Sequence, residues 1–225
     1  MEKTKKMHYA WIVFICCILL KLGLGGVVMC ISGNFVTPVV EELGCAVSAS
    51  WDVTGVAAPY LAKLSAVTGA TAFLAVRSGG EAVTLDQSSE GSGLRIVSEV
   101  GCRLPLCCTS QGKLFLAYCS SEAEQARLIR AYPPVPHTPH TITDPEQLAE
   151  ELRKIRTQGY AVEDGEFRIG LRSVSAPIFG LGGTLQYALG VVGLFRRTTA
   201  PEFTLAVHLA IEYAAQISEE LGRRP

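Results

Sequence analysis

Residues 171–194, LRSVSAPIFGLGGTLQYALGVVGL, contain two apolar runs separated by the glycine-rich segment 180–183. The runs cover 171–178 and 186–194, and both are rich in residues that fit a half-buried pleated sheet. Short apolar runs joined by a glycine-rich turn are typical of a β-hairpin. We therefore predict two neighbouring antiparallel strands here, with the rest of a sheet around them.

The flanking sequence predicts further strands and helices by the same criteria. The predicted strands cover 70–76, 82–86, 94–99 and 160–163, the first two joined by a glycine turn. The predicted helices are one ending at Gly69, one over 106–117, and three beginning near Ser121, Thr143 and Thr199. This order of elements predicts an α+β fold, with about six strands in one mainly antiparallel sheet flanked by helices.

Composition excludes several functional classes. The chain has 225 residues, with 20 Lys and Arg against 21 Asp and Glu. A near-neutral balance without a basic cluster argues against a large nucleic-acid surface. The eight cysteines include no Cys-x-x-Cys pair, so neither a structural zinc site nor a disulfide framework is predicted.

The first 49 residues differ from the rest, because residues 9–31 are apolar and carry a single charge, Lys21. As a helix at about 1.5 Å per residue this run is long enough to cross a bilayer. A cleavable signal peptide is the rival interpretation, but its apolar region would be shorter. We predict a membrane leader over 1–49 with a transmembrane helix at about 9–31, followed by a globular domain over 50–225.

The leader also resembles a known family. Residues 8–13 (HYAWIV), the glycines at 23, 25 and 26, and residues 34–44 (NFVTPVVEELG) are similar to the first helix and following loop of major facilitator superfamily transporters. No further span follows, so transport by this chain alone is not expected. A truncated or fused transporter fragment without transport activity is therefore the alternative interpretation of the whole chain.

The globular part resembles the C-terminal effector-binding domain of IclR-type transcriptional regulators. The resemblance lies in five ordered strings, at residues 101–106, 109–117, 141–144, 156–166 and 170–177. It implies a GAF-like sensor fold that binds a small carboxylate or aromatic effector and assembles as a homodimer or tetramer. The family's winged helix-turn-helix has no counterpart before Trp51, so we expect this chain to sense an effector without binding DNA directly.

The resemblance also implies a set of effector-binding positions. Backbone amides at a helix start would bind the effector carboxylate, as helix N-termini do for anions. The last two positions are often serines in relatives that bind small keto acids, and their replacement here predicts a larger or less polar acid. That these residues are ordinary strand core without a ligand stays open. The implied residues are Ser110, Gln111, Glu163, Ser173, Gly190 and Val192.

Other reactive side chains carry no catalytic pattern. Cys107 and Cys108 are interpreted as small buried fillers, and His137 and His140 as solvated loop residues without a third metal ligand. His208 is interpreted as a structural histidine among apolar residues. With no Gly-x-Ser-x-Gly elbow, phosphate-binding loop or dinucleotide fingerprint, we predict neither an enzyme nor a metal or cofactor site.

Charge places the two predicted parts in conflict. Lys3, Lys5 and Lys6 precede the apolar run and favour a cytoplasmic N-terminus, so one crossing would place the sensor domain outside the cell. The resemblance to cytosolic regulators implies instead a cytoplasmic sensor domain. We predict membrane association through the leader and a junction near Ala49 that is artificial or recent.

Overall fold

Six antiparallel strands form one sheet in the computed structural model, which describes residues 37–89, 99–180 and 182–222, with side chains from residue 53 onward. The chain divides into two compact units, Met1–Trp51 and Asp52–Pro225, and the sheet belongs to the second. The strands are β1 Thr71–Ser78, β2 Glu81–Ser88, β3 Arg103–Pro105, β4 Ala161–Asp164, β5 Arg172–Phe179 and β6 Leu185–Gly193. Their order across the sheet is β3-β2-β1-β6-β5-β4.

Five helices accompany the sheet in the described part of the chain, and local signals set several of their ends. The side chains of Thr109, Ser121 and Asp144 each accept a hydrogen bond from a backbone N–H in the first turn of the helix that follows. Gly159 ends the fourth helix in the left-handed conformation, at φ 84°. The helices are α1 Thr37–Thr68, α2 Ser110–Ala117, α3 Glu122–Ala131, α4 Pro145–Gln158 and α5 Pro201–Gly222.

Alternate residues of each strand face opposite sides of the sheet and form two separate cores. On one face, Leu74, Val174 and Leu189 pack with the apolar sides of α1 and α5. On the other face, Phe73 and Ala188 pack with residues of α2, α3 and α4. The second face is the one that carries the candidate site.

The α+β class and the six-stranded antiparallel sheet predicted from the sequence are confirmed. The hairpins β1–β2 and β5–β6 pair in antiparallel register within a residue or two of the predicted ends. Strand β3 was not predicted, since it is only three residues long. The strand predicted over 94–99 falls mostly outside the described residues, and Glu99 itself is not in a strand.

The helix predicted over 106–117 is wrong at its start. Pro105 belongs to β3, and residues 106–109 form an irregular buried segment before α2 begins at Ser110. Thr109 sets the boundary, because it is extended at φ −117° and caps the helix with its side chain. The apolar character of the segment reflects its burial and not a helical turn.

Among the residues that the structure describes, no helix is long and apolar enough to cross a membrane. The span predicted over 9–31 lies outside those residues. The leader therefore stays a sequence-based prediction.

Two glycine-to-alanine changes test the packing of α2. A Cβ at Gly112 would lie 2.5 Å from both the Cα and the carbonyl oxygen of Leu106, whereas Gly55 in α1 has nothing within 4 Å of such an atom. Gly112→Ala should destabilise the domain by about 1–3 kcal/mol through overpacking. Gly55→Ala should stabilise it by about 0.5–1 kcal/mol, since alanine favours a helix interior.

Denaturant unfolding of the purified variants measures both changes. Equal stabilities for Gly112→Ala and Gly55→Ala would contradict the close approach of α2 to the segment that precedes it.

Candidate functional site

A cleft opens on the sheet face that packs against α2. It encloses about 560 Å³ free of protein atoms, part of which is open to solvent, and this is within the range of small-molecule sites. Its walls come from three strands, the start of α2 and the loop between β4 and β5. The lining residues are Phe73, Cys102, Leu104, Thr109, Gln111, Glu163, Phe167, Arg168, Leu171, Ser173 and Val192.

Strand register brings three of the sequence-predicted site residues side by side. Ser173 on β5 pairs with Val192 on β6 and with Glu163 on β4, so the three form one row across the sheet. The row continues to Thr71 on β1, opposite Val192. The hydroxyl of Thr71 is buried and has no hydrogen-bond partner among the described residues. All three predicted residues of this row line the cleft.

Gly190 belongs to the next row and does not line the cleft. It lies between Phe73 on β1 and Ser175 on β5. A Cβ at this position would lie 2.4 Å from the ring of Phe73 and 2.5 Å from the carbonyl oxygen of Val174. The glycine thus leaves space for the aromatic ring, and Phe73 is the wall that the cleft presents here.

The start of α2 presents backbone donors at the cleft. The hydroxyl of Thr109 accepts the N–H of Gly112, so this cap satisfies the third residue of the helix and not the first two. Among the described residues, no acceptor is found for the N–H groups of Ser110 and Gln111. Both residues are buried, and Gln111 lines the cleft. Unpaired buried N–H groups at a helix start favour an anion.

A chain of hydroxyl groups connects the helix start to Glu163. The Ser110 hydroxyl oxygen lies 2.8 Å from those of both Ser175 and Ser173. The Ser173 hydroxyl in turn donates to the Glu163 carboxylate at 2.8 Å. Ser110 therefore contributes a buried side-chain contact in addition to its backbone N–H.

Glu163 is the buried carboxyl group at the floor of the cleft. Burial raises its pKa, and the hydroxyl of Ser173 and the backbone N–H of Phe167 act in the opposite direction by donating to it. Its carboxylate oxygens thus accept one hydrogen bond from the sheet and one from the β4–β5 loop. Glu163 joins the floor of the cleft to its cover.

The loop over residues 165–171 forms that cover, which the sequence reasoning did not identify. Phe167 and Arg168 line the cleft, and the Arg168 guanidinium lies 5.4 Å from the centre of the Phe167 ring. The hydroxyls of Thr138 and Thr141 donate to the Glu166 carbonyl oxygen at 3.1 and 2.7 Å. The proline-rich segment therefore holds the loop against the domain.

A buried ion pair fastens the same loop to α2. Lys113 is fully buried, and its ammonium lies 2.5 Å from one carboxylate oxygen of Glu166 and 3.6 Å from Glu151. The other Glu166 oxygen is buried with no hydrogen-bond partner in the described part of the chain. Burial raises the pKa of Glu166, and the charge of Lys113 opposes this. The sequence shows both residues but gives no sign that they meet.

The other reactive residues stand outside the site. Cys107 and Cys108 are buried, and burial raises their pKa values to about 11 and 12, which confirms them as inert fillers. His137 is exposed in its loop and packs edge-on against Phe167, with ring centres 5.1 Å apart. His208 is exposed, so its interpretation as a histidine among apolar residues is wrong. Among the described residues, no group of three or more potential metal ligands is found.

Comparison with known proteins gives a consistent result. The family model "Bacterial transcriptional regulator IclR C-terminal" matches residues 45–219. The HTH-type transcriptional repressor AllR of Escherichia coli K12 is 32% identical over 183 residues, which are 81% of this chain and 67% of that protein. These matches cover the whole sheet and the candidate cleft.

Solved structures agree with the sequence relatives. The crystal structure of the Thermotoga maritima IclR has a TM-score of 0.72 and 32% identity, covering 81% of this chain and 74% of that chain. The inducer-binding domain of a PobR double mutant from Acinetobacter, in complex with 3-hydroxybenzoic acid, has a TM-score of 0.64 and 27% identity, covering 74% of this chain and 95% of that one. An antiparallel sheet with a covered cleft is thus shared with domains of transcription regulators. This chain belongs to the IclR family of bacterial transcriptional regulators, through their C-terminal domain.

Breaking the buried ion pair should be costly. Lys113→Met leaves Glu166 buried without its cation and should destabilise the domain by about 3–5 kcal/mol. The double change Lys113→Met with Glu166→Gln should recover part of that loss, because the uncompensated charge is gone. Arg103→Ala, which removes an exposed ion pair with Glu81, serves as the control and should cost about 1 kcal/mol or less.

Chemical denaturation of the four proteins measures the differences. If Lys113→Met costs no more than Arg103→Ala, the pair does not hold the loop to α2.

Proposed function

We propose that residues 50–225 form a sensor domain that binds a small organic acid and reports its presence within a transcription regulator. The observation that carries this proposal is the pair of unbonded N–H groups at Ser110 and Gln111, at the start of a buried helix beside a cleft. A carboxylate would satisfy both donors and would also be favoured by the helix dipole.

The remaining effector-binding positions act in different ways in this proposal. Glu163 and Ser173 supply polar groups at the floor, and Val192 supplies an apolar wall where relatives often carry a serine. Gly190 acts indirectly, by leaving space for the ring of Phe73. These changes favour a flat or branched apolar body behind the carboxylate.

The chemistry of the walls supports an aromatic or aliphatic acid. Phe73, Phe167, Leu104 and Leu171 surround the space between the helix start and the loop. Aromatic rings in such a site contribute large apolar area and prefer edge-to-face or offset contacts with a bound ring. The 3-hydroxybenzoic acid bound by the PobR relative is a ligand of this class.

A thermal-shift screen of organic acids against the purified chain tests the proposal. Aromatic and branched aliphatic carboxylates should raise the unfolding temperature in a concentration-dependent way, because a ligand that binds the folded state stabilises it. The matching primary amides should not, since they lack the negative charge. If amides and acids act alike, the donors at the start of α2 do not bind a carboxylate.

Two substitutions in the cross-strand row should change binding differently. Ser173→Ala should weaken binding of an acidic ligand about tenfold, because the hydroxyl chain from the helix start to Glu163 is broken and hydrogen bonds to charged groups contribute about 1.5–3 kcal/mol. Val192→Ser should shift preference toward smaller and more polar acids. Calorimetric titration of both variants measures this, and an affinity that ignores both changes contradicts the site.

We also propose that residues 9–31 attach the chain to a membrane, as their hydropathy favours. The full chain should then remain in the membrane pellet after a carbonate wash, whereas a chain starting at residue 50 should be released. Recovery of the full chain in the supernatant would contradict the leader. The resemblance to transporters, the cytoplasmic location of the sensor domain and its assembly as a homodimer or tetramer stay part of this proposal.

A further inference from the structure

The floor of the cleft has a polar corner made by Glu163 and Ser173. Both side chains line the cleft and are 4% exposed, and they are cross-strand neighbours on β4 and β5. What this corner accepts from a ligand depends on where its few protons are. The hydrogen bonds around it determine their positions.

Each serine in the chain has one hydroxyl proton to donate. Ser173 gives its proton to Glu163, at 2.8 Å. The contact between Ser173 and Ser110 must then be donated by Ser110, which leaves Ser175 as the donor to Ser110. Ser110 also lies 3.3 Å from the Gln111 side-chain oxygen, a longer contact than its 2.8 Å contact with Ser173. All three protons therefore point toward Glu163.

The second oxygen of Glu163 gives the same direction independently. It accepts the backbone N–H of Phe167 at 3.2 Å, and a backbone N–H can only donate. Donors thus reach both carboxylate oxygens, as a carboxylate requires. The lone pairs left over on Glu163 and Ser173 are acceptors, and the corner offers no free proton to the cleft.

The opposite part of the cleft offers donors. The N–H groups of Ser110 and Gln111 have no acceptor among the described residues. Arg168 lines the cleft from the loop, and no carboxylate of the described residues lies within ion-pairing distance of it. A ligand that is only a carboxylate satisfies this end and leaves the corner at Glu163 unpaired.

We propose that the effector carries a hydrogen-bond donor, a hydroxyl or an amino group, in addition to its carboxylate, and that Glu163 together with Ser173 selects it. This inference rests on the proposed function and adds the second polar group of the effector. The carboxylate lies at the start of α2 and the donor lies against Glu163, with the apolar walls between them. Glu163 is then a specificity-determining residue that rejects ligands able only to accept.

The test compares ligands that differ only at the second group. Calorimetric titration of the full chain is carried out with benzoate and with its 3- and 4-hydroxy, amino and methoxy derivatives. The better hydroxy or amino isomer should bind at least about tenfold more tightly than its methoxy counterpart, because a site built for a donor is left unpaired by an acceptor. Comparison of the hydroxy and amino acids identifies which donor the corner prefers.

Glu163→Gln should abolish this discrimination while the unsubstituted benzoate keeps its affinity within about threefold, because the carboxylate end is unchanged. The amide can accept the Phe167 N–H only by turning its NH₂ toward Ser173, which reverses the hydroxyl chain. Glu150→Gln, on the exposed side of α4, is the matched control and should keep the wild-type ratio. If Glu163→Gln fails to fold, the ratio measured in the wild-type chain still decides.

Three outcomes are distinct. A donor preference that is lost in Glu163→Gln supports the inference. Methoxybenzoates that bind as tightly as hydroxy- and aminobenzoates overturn it and leave the proposed function standing. Absence of binding by every acid overturns both.

Discussion

The buried start of α2 is the constraint on which the site depends. A helix that begins inside a protein leaves its first N–H groups without intrahelical acceptors. Here the Thr109 side chain satisfies Gly112, whereas Ser110 and Gln111 keep their donors at the edge of the cleft. Gly112 lets α2 approach the chain segment that precedes it more closely than any larger residue would. The anion-binding character of the cleft thus follows from the way the helix is packed.

Charges buried beside this helix link it to the cover of the cleft. Lys113 follows the helix start and pairs with Glu166, whose loop carries Phe167 and Arg168 over the opening. A buried pair of this kind adds little net stability compared with apolar residues, but losing one partner is costly. It is therefore better understood as a device that fixes the loop in one place. Glu163 ties the same loop to the sheet through the Phe167 N–H.

The cleft combines features shared across its family with features of its own. The sheet order and the helix start fit the IclR C-terminal domain to which the chain belongs. The contact of Phe73 with Gly190 and the apolar side chain of Val192 make one wall less polar than a serine-lined wall would be. Differences of this kind change which acid fits without changing the fold, because they replace side chains on a fixed pair of strands.

The sequence by itself determined the elements that depend on neighbouring residues. The two hairpins, the caps at Ser121 and Asp144 and the helix end at Gly159 all follow from local backbone preferences and hydrogen bonds within a few positions. The implied residues Glu163, Ser173 and Val192 lie in one row because the predicted strands pair as expected. Only the tertiary structure decided that Phe73 covers Gly190, that Lys113 meets Glu166 and that residues 165–171 close the cleft. These contacts join positions 50 or more residues apart or depend on loop paths, and no local pattern in the chain encodes them.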